Sequence, residues 1–457
     1  MLDTAPGLAC FKAYDIRGRV PDELDETLAY NIGRAYASVV KPQRVVLGHD
    51  IRLNSPALQE AVGRGLRDAG VDTHGIGLCG TEEIYFATSH FGMDGGIMVT
   101  ASHNPVEYNG MKFVVAESRP LTRDNGLQEM EEMLLAGTLP APATTPGQSH
   151  SLEAQPAYIE HLVGYVDTAT LKPLKIVTDA GNGGAGIVLD ALEPHLPFDF
   201  IKLHNAPDGH FPNGVPNPLL PENRTAMIDA LRASGADLGI AWDGDFDRCF
   251  LFDDNGGFVE GYYIVGLLAE AFLQKTPGQP IIHDPRLTWN TIDMVERAGG
   301  TPIQSETGHA FIKEAMRRHN APYGGEMSGH HYFRDFFFCD SGMIPWLIVT
   351  EMICRSGKSL SQLVGDRMAK FPCSGEINFT VDNPAAVLAR IEDHYTGSSP
   401  AIDHTDGLSM AFDNWRFNLR ASNTEPILRL NVESRGDEQL MREKTEELTR
   451  LVRGDEA

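Results

Sequence analysis

The chain has 457 residues, more than one ordinary core accommodates, and its 42% hydrophobic and 22% charged residues are the composition of a folded globular protein. A formal net charge of −25 argues against a nucleic-acid surface, because phosphate backbones are gripped by Lys and Arg clusters and none stands out here. No apolar run approaches membrane-spanning length, and the Met1-Leu2-Asp3 start has neither the basic nor the apolar stretch of an export signal, so the expectation is a cytoplasmic protein without membrane or nucleic-acid partners.

Three apolar stretches end in aspartate: VVLGHD at Asp50, KIVTD at Asp179 and IIHD at Asp284, each ahead of a helical pattern. The echo predicts three related α/β units. In the first, GGIMV (Gly95 to Val99) reads as a buried strand and runs into the polar loop TASHNP, Thr100 to Pro105. Asn109-Gly110 reads as a tight turn leading into the apolar run Met111 to Val115. Ser102 is then exposed on a rigid support, a candidate phosphate carrier. A hydrolase with His103 as base is disfavoured, since neighbours in an extended segment point to opposite sides and the Gly-x-Ser-x-Gly elbow is absent. Taken alone, TASHNP equally fits a plain polar turn.

The Pro/Ser/Thr/Gly-rich stretch Gly137 to Pro156 reads as a linker or long surface loop closing the first unit. In the second unit Gly181 to Gly186 satisfies GxGxxG, but the next strand, FDFIKL, ends in His204-Asn205 rather than the acid a dinucleotide site needs, so the glycines read as a strand-to-helix turn. WDGDFDR, Trp242 to Arg248, follows. Read as extended, it puts Asp243, Asp245 and Asp247 on one face, where their repulsion is relieved by a hard cation such as Mg²⁺. An EF-hand fails, because Arg248 stands where its glycine belongs and CFLF is a strand; an acidic hairpin in water is the plain alternative. The Asn223-Arg224-Thr225 sequon has no meaning in a cytoplasmic chain, and six scattered cysteines without a CxxC pair read as buried reduced thiols.

A turn at Asp253 to Gly257 and the segment FPCSG, Phe371 to Gly375, mark further boundaries, giving expected domains of 1–150, 151–255, 256–370 and 371–457. In the last of these RASNTEP, Arg420 to Pro426, offers a guanidinium fork, hydroxyls, an amide and backbone N–H donors suited to a phosphate dianion, or else is an ordinary loop. Strands INFTV and ILRLNV and a helix with Leu440, Met441, Leu448, Leu451 and Val452 in an apolar stripe complete it; the stripe is core.

In chain order, FKAYDIRG (Phe11 to Gly18), TASHNP, DGDFDR, TGHAFIK (Thr307 to Lys313), GGEMSGHHYF (Gly324 to Phe333) and RASNTEP resemble the signatures of the α-D-phosphohexomutase superfamily over essentially the whole chain. GEMSGH is similar to the phosphomannomutase/phosphoglucomutase branch, since phosphoglucosamine mutases typically carry Gln at the place of Met327, and HHYFRDFFFCDSGMIPW resembles bacterial members that feed GDP-mannose synthesis. The resemblance implies three similar mixed-sheet α/β domains and a smaller C-terminal α+β domain related to the TATA-binding-protein fold, around a central cleft. It implies interconversion of mannose 6-phosphate and mannose 1-phosphate through phosphorylated Ser102 and a hexose 1,6-bisphosphate, with Mg²⁺ on Ser102, Asp243, Asp245 and Asp247. Glucose or dual specificity, and less readily glucosamine specificity, remain open on the same scaffold; a phosphatase and a non-catalytic sugar-phosphate sensor are the other classes.

Further residues are carried over from the family. Lys112, His330 and Arg17 are the implied acid and base groups, Lys112 needing a depressed pKa to act as base, and Arg248 reaches a phosphoryl oxygen unless it only forms a surface salt bridge. Glu326 and Ser328 match ligands of the sugar O3 and O4 hydroxyls. Arg420, Ser422, Asn423 and Thr424 match the phosphate loop. Tyr14, His103, Arg286, Thr307, Gly308 and His309 match other substrate positions, with Arg286 standing where relatives often have Lys. His331 is assigned no role. The expected partners are small hexose phosphates, and the expected state is monomer or homodimer.

Overall fold

The apolar runs that end in aspartate become the parallel centres of three sheets. The computed structural model describes residues 8–421 and 427–454. They fall into two units: the chain up to Gly257 with Asp335–Arg355, and Phe258–Arg334 with the chain from Ser356 onward.

In the first unit Arg44–His49 pairs in parallel with Asp72–Leu78 on one side and Gly95–Val99 on the other. Gly95–Val99 is buried along its whole length, as a continuous apolar run implies for a strand covered on both faces. Tyr108–Val115 returns antiparallel beside it, and Ile16–Arg19 adds at the edge. The expected Asn109-Gly110 turn does not exist, because both residues lie inside Tyr108–Val115. Asn109 is buried, with Nδ2 donating to Ser55 Oγ at 2.8 Å and to Asn54 Oδ1. A Cβ at Gly110 would stand 2.0 Å from the Ile16 carbonyl oxygen and 3.0 Å from that of Thr100, so glycine is there for backbone approach on both sides. The linker stretch is mostly irregular, yet Ser149–Ser151 extends the sheet beside Asp72–Leu78 and the helix Gln155–Val163 begins within it.

A second sheet of this unit has Lys175–Asp179 between Asp199–Leu203 and Leu238–Trp242, all parallel, with Cys249–Phe252 antiparallel to the last. After Lys175–Asp179 the glycines turn into the helix Ala185–Leu192, and a Cβ at Gly186 would meet the Asn205 carbonyl oxygen at 1.9 Å. Gly186 is there for close packing of the helix on the neighbouring strand end. Glu82, near the start of the helix Thr81–His90, accepts from Tyr158, from Ser341 Oγ at 2.8 Å and from the N–H groups of Gly342 and Met343, and so ties Asp335–Arg355 into the unit. Burial pushes its carboxyl up to about 8, against the pull of those donors.

The second unit repeats the plan: Pro280–His283 lies between Thr301–Gln304 and Tyr323–Gly325, all parallel, and His331–Phe333 returns antiparallel. Its other layer is an antiparallel sheet in the order Ile377–Thr380, Ile427–Ser434, Trp415–Ala421, Leu408–Ala411, Ala401–Asp403. The helices Pro384–Thr396 and Glu438–Arg453 pack on it, with Met441, Leu448 and Val452 in its core and Leu440 and Leu451 against the core's margin.

In all three α/β sheets the strand beside the aspartate-ending one runs into a polar loop and comes back antiparallel. Residues 100–107, 243–248 and 326–330 therefore occupy one topological slot, at the carboxyl ends of parallel strands where ligands of open α/β sheets bind. Among the described residues no helix is long and apolar enough to cross a membrane, and all six cysteines are free, five of them buried.

Candidate active site

Ser102 leaves the strand Gly95–Val99 in the left-handed region, with φ of 50°. Its hydroxyl donates to Asp243 Oδ2 at 2.9 Å and lies 3.0 Å from His103 Nδ1. The side chain is buried rather than exposed, and His103 does not point away from it. Alternation holds only for extended backbone; the left-handed residue turns both side chains the same way. Burial, then the charges of Arg248 and Arg17, hold the His103 imidazole well below its ordinary pKa, so it is a weak base despite its proximity.

Asp243 to Arg248 form a turn, not an extended segment, with Phe246 at φ 44°. Turning rather than alternating brings the carboxylates together: oxygens of Asp243, Asp245 and Asp247 lie within 4.8 Å of one another, all buried. A Cβ at Gly244 would sit 2.5 Å from the Ser102 carbonyl oxygen, so the two loops touch backbone to backbone. Burial pushes the Asp243 carboxyl up to about 6, against the pull of Arg248, and its neighbours Asp247 and Asp245 add to the rise. Arg248 is buried, with Nε 2.8 Å from Asp243 Oδ2, which excludes the exposed surface salt bridge. Lys112 Nζ bridges Asp245 Oδ2 at 2.7 Å and Asp247 Oδ2 at 2.5 Å. Burial would lower its pKa, but those two carboxylates win and raise it, the reverse of the depressed value expected for a base.

The donor set fits a metal. Three buried carboxylates face two side-chain cations, and Asp245 Oδ1 is buried without a hydrogen-bond partner while Oδ2 accepts from Lys112 and, at 2.6 Å, from Thr81 Oγ1. Oxygen-only ligation of this kind suits a hard dication.

Two arginines frame the serine loop. Arg17 pairs with Asp15 at 2.8 Å and donates to the Ala101 carbonyl at 3.0 Å and to Asn104. Although burial opposes it, Asp15 keeps Arg17 charged, so it serves as donor rather than base. Arg52 donates to the carbonyls of Ser102, Asn104, Pro105 and Tyr108. Tyr14 lies half-buried in the bend before Ile16–Arg19.

In the second unit Arg286 is buried, with Nε 2.9 Å from Asp284 Oδ2 and its NH2 donating to Ser328 Oγ at 3.1 Å. Glu326 lies 3.5 Å from Arg286 and accepts from the Gly308 N–H at 3.0 Å and from Tyr332. His330 Nδ1 stands 3.5 Å from Glu326 and 3.3 Å from the Ser328 hydroxyl. The Thr307 N–H donates to Asp406, which also lies 3.7 Å from Arg420, and His309 opens the helix His309–His319. Burial, then repulsion from Arg286, lowers the Arg420 pKa, a setting that favours an anion. His331 is a core residue bonded to Tyr323, its pKa lowered to about 3 by burial. Ser422, Asn423 and Thr424 lie outside the described residues.

Arg52, Thr81, Asp284 and Asp406 have no site role assigned from sequence. A signal for the first existed: Asp50-Ile51-Arg52 and Asp284-Pro285-Arg286 are the same Asp-x-Arg turn at equivalent strand ends.

Four family models match in order: the phosphoglucomutase/phosphomannomutase α/β/α domains I, II and III at residues 9–139, 156–257 and 260–371, and the C-terminal domain at 376–450. The chain belongs to the phosphoglucomutase/phosphomannomutase family, a class of phosphohexomutase enzymes. It is 60% identical to a protein named phosphohexose mutases from Xanthomonas campestris pv. campestris, over 98% of this chain and 100% of that one. A phosphomannomutase from Salmonella montevideo is 59% identical, over 97% and 99%. Among solved structures, a phosphoglucomutase/phosphomannomutase family protein from Burkholderia thailandensis superposes with a TM-score of 0.88 at 31% identity, covering 99% of this chain and 98% of that one.

Proposed function

We propose that the chain is a phosphomannomutase that interconverts mannose 6-phosphate and mannose 1-phosphate through phosphorylated Ser102 and a hexose 1,6-bisphosphate. The observation that carries this reading is the buried Ser102 hydroxyl, 2.9 Å from Asp243 within a cluster of three carboxylates, one of whose oxygens has no partner. The names of relatives near 60% identity support it.

In the first half-reaction the bond between phosphorus and Ser102 Oγ breaks as a bond to sugar O6 or O1 forms, the sugar hydroxyl losing a proton and Oγ gaining one. In the second the bond between phosphorus and the other sugar oxygen breaks as one to Oγ forms, and the proton moves from Oγ to that sugar oxygen. The second half-reaction returns the other phosphoryl group to Oγ, so nothing is hydrolysed. Asp243, Asp245, Asp247 and an oxygen of phosphoserine would hold Mg²⁺, which offsets phosphoryl charge when bound. Arg248 and Lys112 donate to the transferring group, and Arg17 fixes the loop that carries it. Lys112, His330 and Arg17 are the acid and base groups of this reading, with His330, beside Glu326 and the Ser328 hydroxyl, taking the proton of the sugar hydroxyl. Glu326 and Ser328 accept and donate at O3 and O4, and Arg286, Arg420, Thr307, Gly308, His309 and Tyr14 bind the rest of the substrate with Ser422, Asn423 and Thr424. The domain bounds are 1–150, 151–255, 256–370 and 371–457. A cytoplasmic place of action suits free thiols and phosphorylated substrates.

The test is turnover of mannose 1-phosphate, glucose 1-phosphate and glucosamine 1-phosphate with Mg²⁺ and a trace of hexose 1,6-bisphosphate, followed by phosphorus NMR. Mannose turnover at or above the glucose rate, without free phosphate, supports the reading. Glucosamine preference or stoichiometric phosphate release overturns it, and a folded Ser102→Ala variant with native flux overturns the carrier.

A further inference from the structure

Arg52 is 2% exposed, and its guanidinium spends both terminal nitrogens on main-chain carbonyls of one loop: NH1 on Pro105 and Tyr108 at 2.8 and 2.9 Å, NH2 on Ser102 and Asn104 at 3.0 and 2.6 Å. Nε faces Asp50 Oδ2 at 3.4 Å, and the ring of Phe211 caps the plane with its centroid 5.3 Å away. The four terminal N–H donors are thus spent on protein, and Nε is buried beside Asp50 without a hydrogen bond, so Arg52 presents no donor to a substrate. Its partner is itself braced, since Asp50 Oδ1 accepts from the Arg52 N–H and from Ser55.

The same turn recurs at Asp284 and Arg286. There too the aspartate accepts the arginine N–H and pairs with its guanidinium, and the preceding histidine ring bonds the aspartate carbonyl, His49 at 2.7 Å in one case and His283 at 2.8 Å in the other. Arg286 faces the Ser328 hydroxyl; Arg52 instead grips the backbone around Ser102. Ser102 needs such a grip. Its φ of 50° is a conformation that a residue with a Cβ adopts only when its surroundings over-determine it. Inside the loop the Ser102 N–H reaches Thr100 Oγ1 at 2.9 Å, but the Ser102 carbonyl is held by Arg52.

We infer that Arg52 is the positioning residue of the phosphoryl carrier: its planar fork collects the carbonyls of Ser102, Asn104, Pro105 and Tyr108 and thereby holds Ser102 left-handed with Oγ aimed at Asp243. The inference rests on Ser102 being the carrier. Lysine cannot replace it, because an ammonium offers no planar fork to four acceptors.

The test is Arg52→Lys, made in the wild-type and in the Ser102→Gly background, since glycine takes the left-handed conformation without strain. In the wild-type background we expect amide exchange over residues 100–108 to quicken by roughly tenfold relative to the rest of the unit. Single-turnover transfer from phosphorylated Ser102 falls about 100-fold, while KM is unchanged. The loss of Tm caused by Arg52→Lys shrinks in the Ser102→Gly background. Native exchange and transfer, exchange raised evenly across the unit, or an equal loss of Tm in both backgrounds overturns the inference. Should Arg52→Lys fold only with Ser102→Gly, the inference stands; failure to fold in both shows a general structural role and overturns it. Exchange and Tm are read without substrate, so failure of the carrier assignment would appear separately, as turnover in Ser102→Ala.

Discussion

Replacing Thr81 by valine should weaken Mg²⁺ binding without touching a metal ligand. Thr81 opens the helix Thr81–His90, and its hydroxyl donates to Asp245 Oδ2 at 2.6 Å, leaving Oδ1 as the free oxygen. Valine keeps the branched shape and removes only the donor. A hydrogen bond to a buried charged group contributes about 1.5–3 kcal/mol. Losing an outer partner of a metal-binding group costs about 10–100-fold in affinity, which is about 1.4–2.8 kcal/mol. The two ranges overlap, so a loss of about 10–100-fold is the size expected if this bond acts by orienting Asp245. Calorimetric titration of Mg²⁺ into wild type, Thr81→Val and Thr81→Ser gives the answer: valine weakens binding within that range and serine restores it, with KM for the sugar phosphate unmoved. A folded valine variant that binds Mg²⁺ as wild type does would refute the reasoning, since Asp245 would then hold its orientation by the turn alone.

Glu83 is buried, its carboxyl pushed up to about 7 by burial and drawn down only by the Gly80 N–H. Between pH 4.5 and about 7 the folded state therefore holds more protons than the unfolded one, so this group's contribution is intact below pH 4.5 and is lost as pH rises through about 7. Glu83→Gln keeps an acceptor for Gly80 and removes the titration; denaturant unfolding at several pH values should show a flatter profile and a gain of at most about 3 kcal/mol at pH 8. Gly110→Ala places a Cβ 2.0 Å from one carbonyl oxygen and 3.0 Å from another, both on flanking backbone, so thermal unfolding should report a loss of about 3 kcal/mol.

What the sequence disclosed was whatever is local. The aspartates of 243–247 and the serine of TASHNP are legible because the chemistry lies within a few residues, and the strands ending at Asp50, Asp179 and Asp284 because burial writes itself as an apolar run. Shape within the loops was less legible. Alternation was the wrong rule for residues 243–248 and for Ser102, where left-handed residues reverse the chain. Asn109-Gly110 carries turn chemistry yet sits in a strand, because its partners Asn54 and Ser55 are distant in sequence. The site roles of Arg52 and Thr81 were hidden for the same reason, since the bonds to the Ser102 carbonyl and to Asp245 span 50 residues or more. The direction of the Lys112 pKa was not legible, because it depends on which carboxylates are nearest, a fact of the folded state.

Phe246 sits between two of the acidic residues, wholly buried, its ring lying where a Cβ of Gly80 would be, 2.1 Å from the nearest ring atom, and 3.0 Å from where one of Gly184 would be. An aromatic plug seated between two glycines leaves the acidic turn no room to breathe. Calcium prefers longer bonds and more ligands than magnesium, so a turn propped from behind in this way should bind it less well than magnesium, an outcome that calorimetric titration of both ions checks.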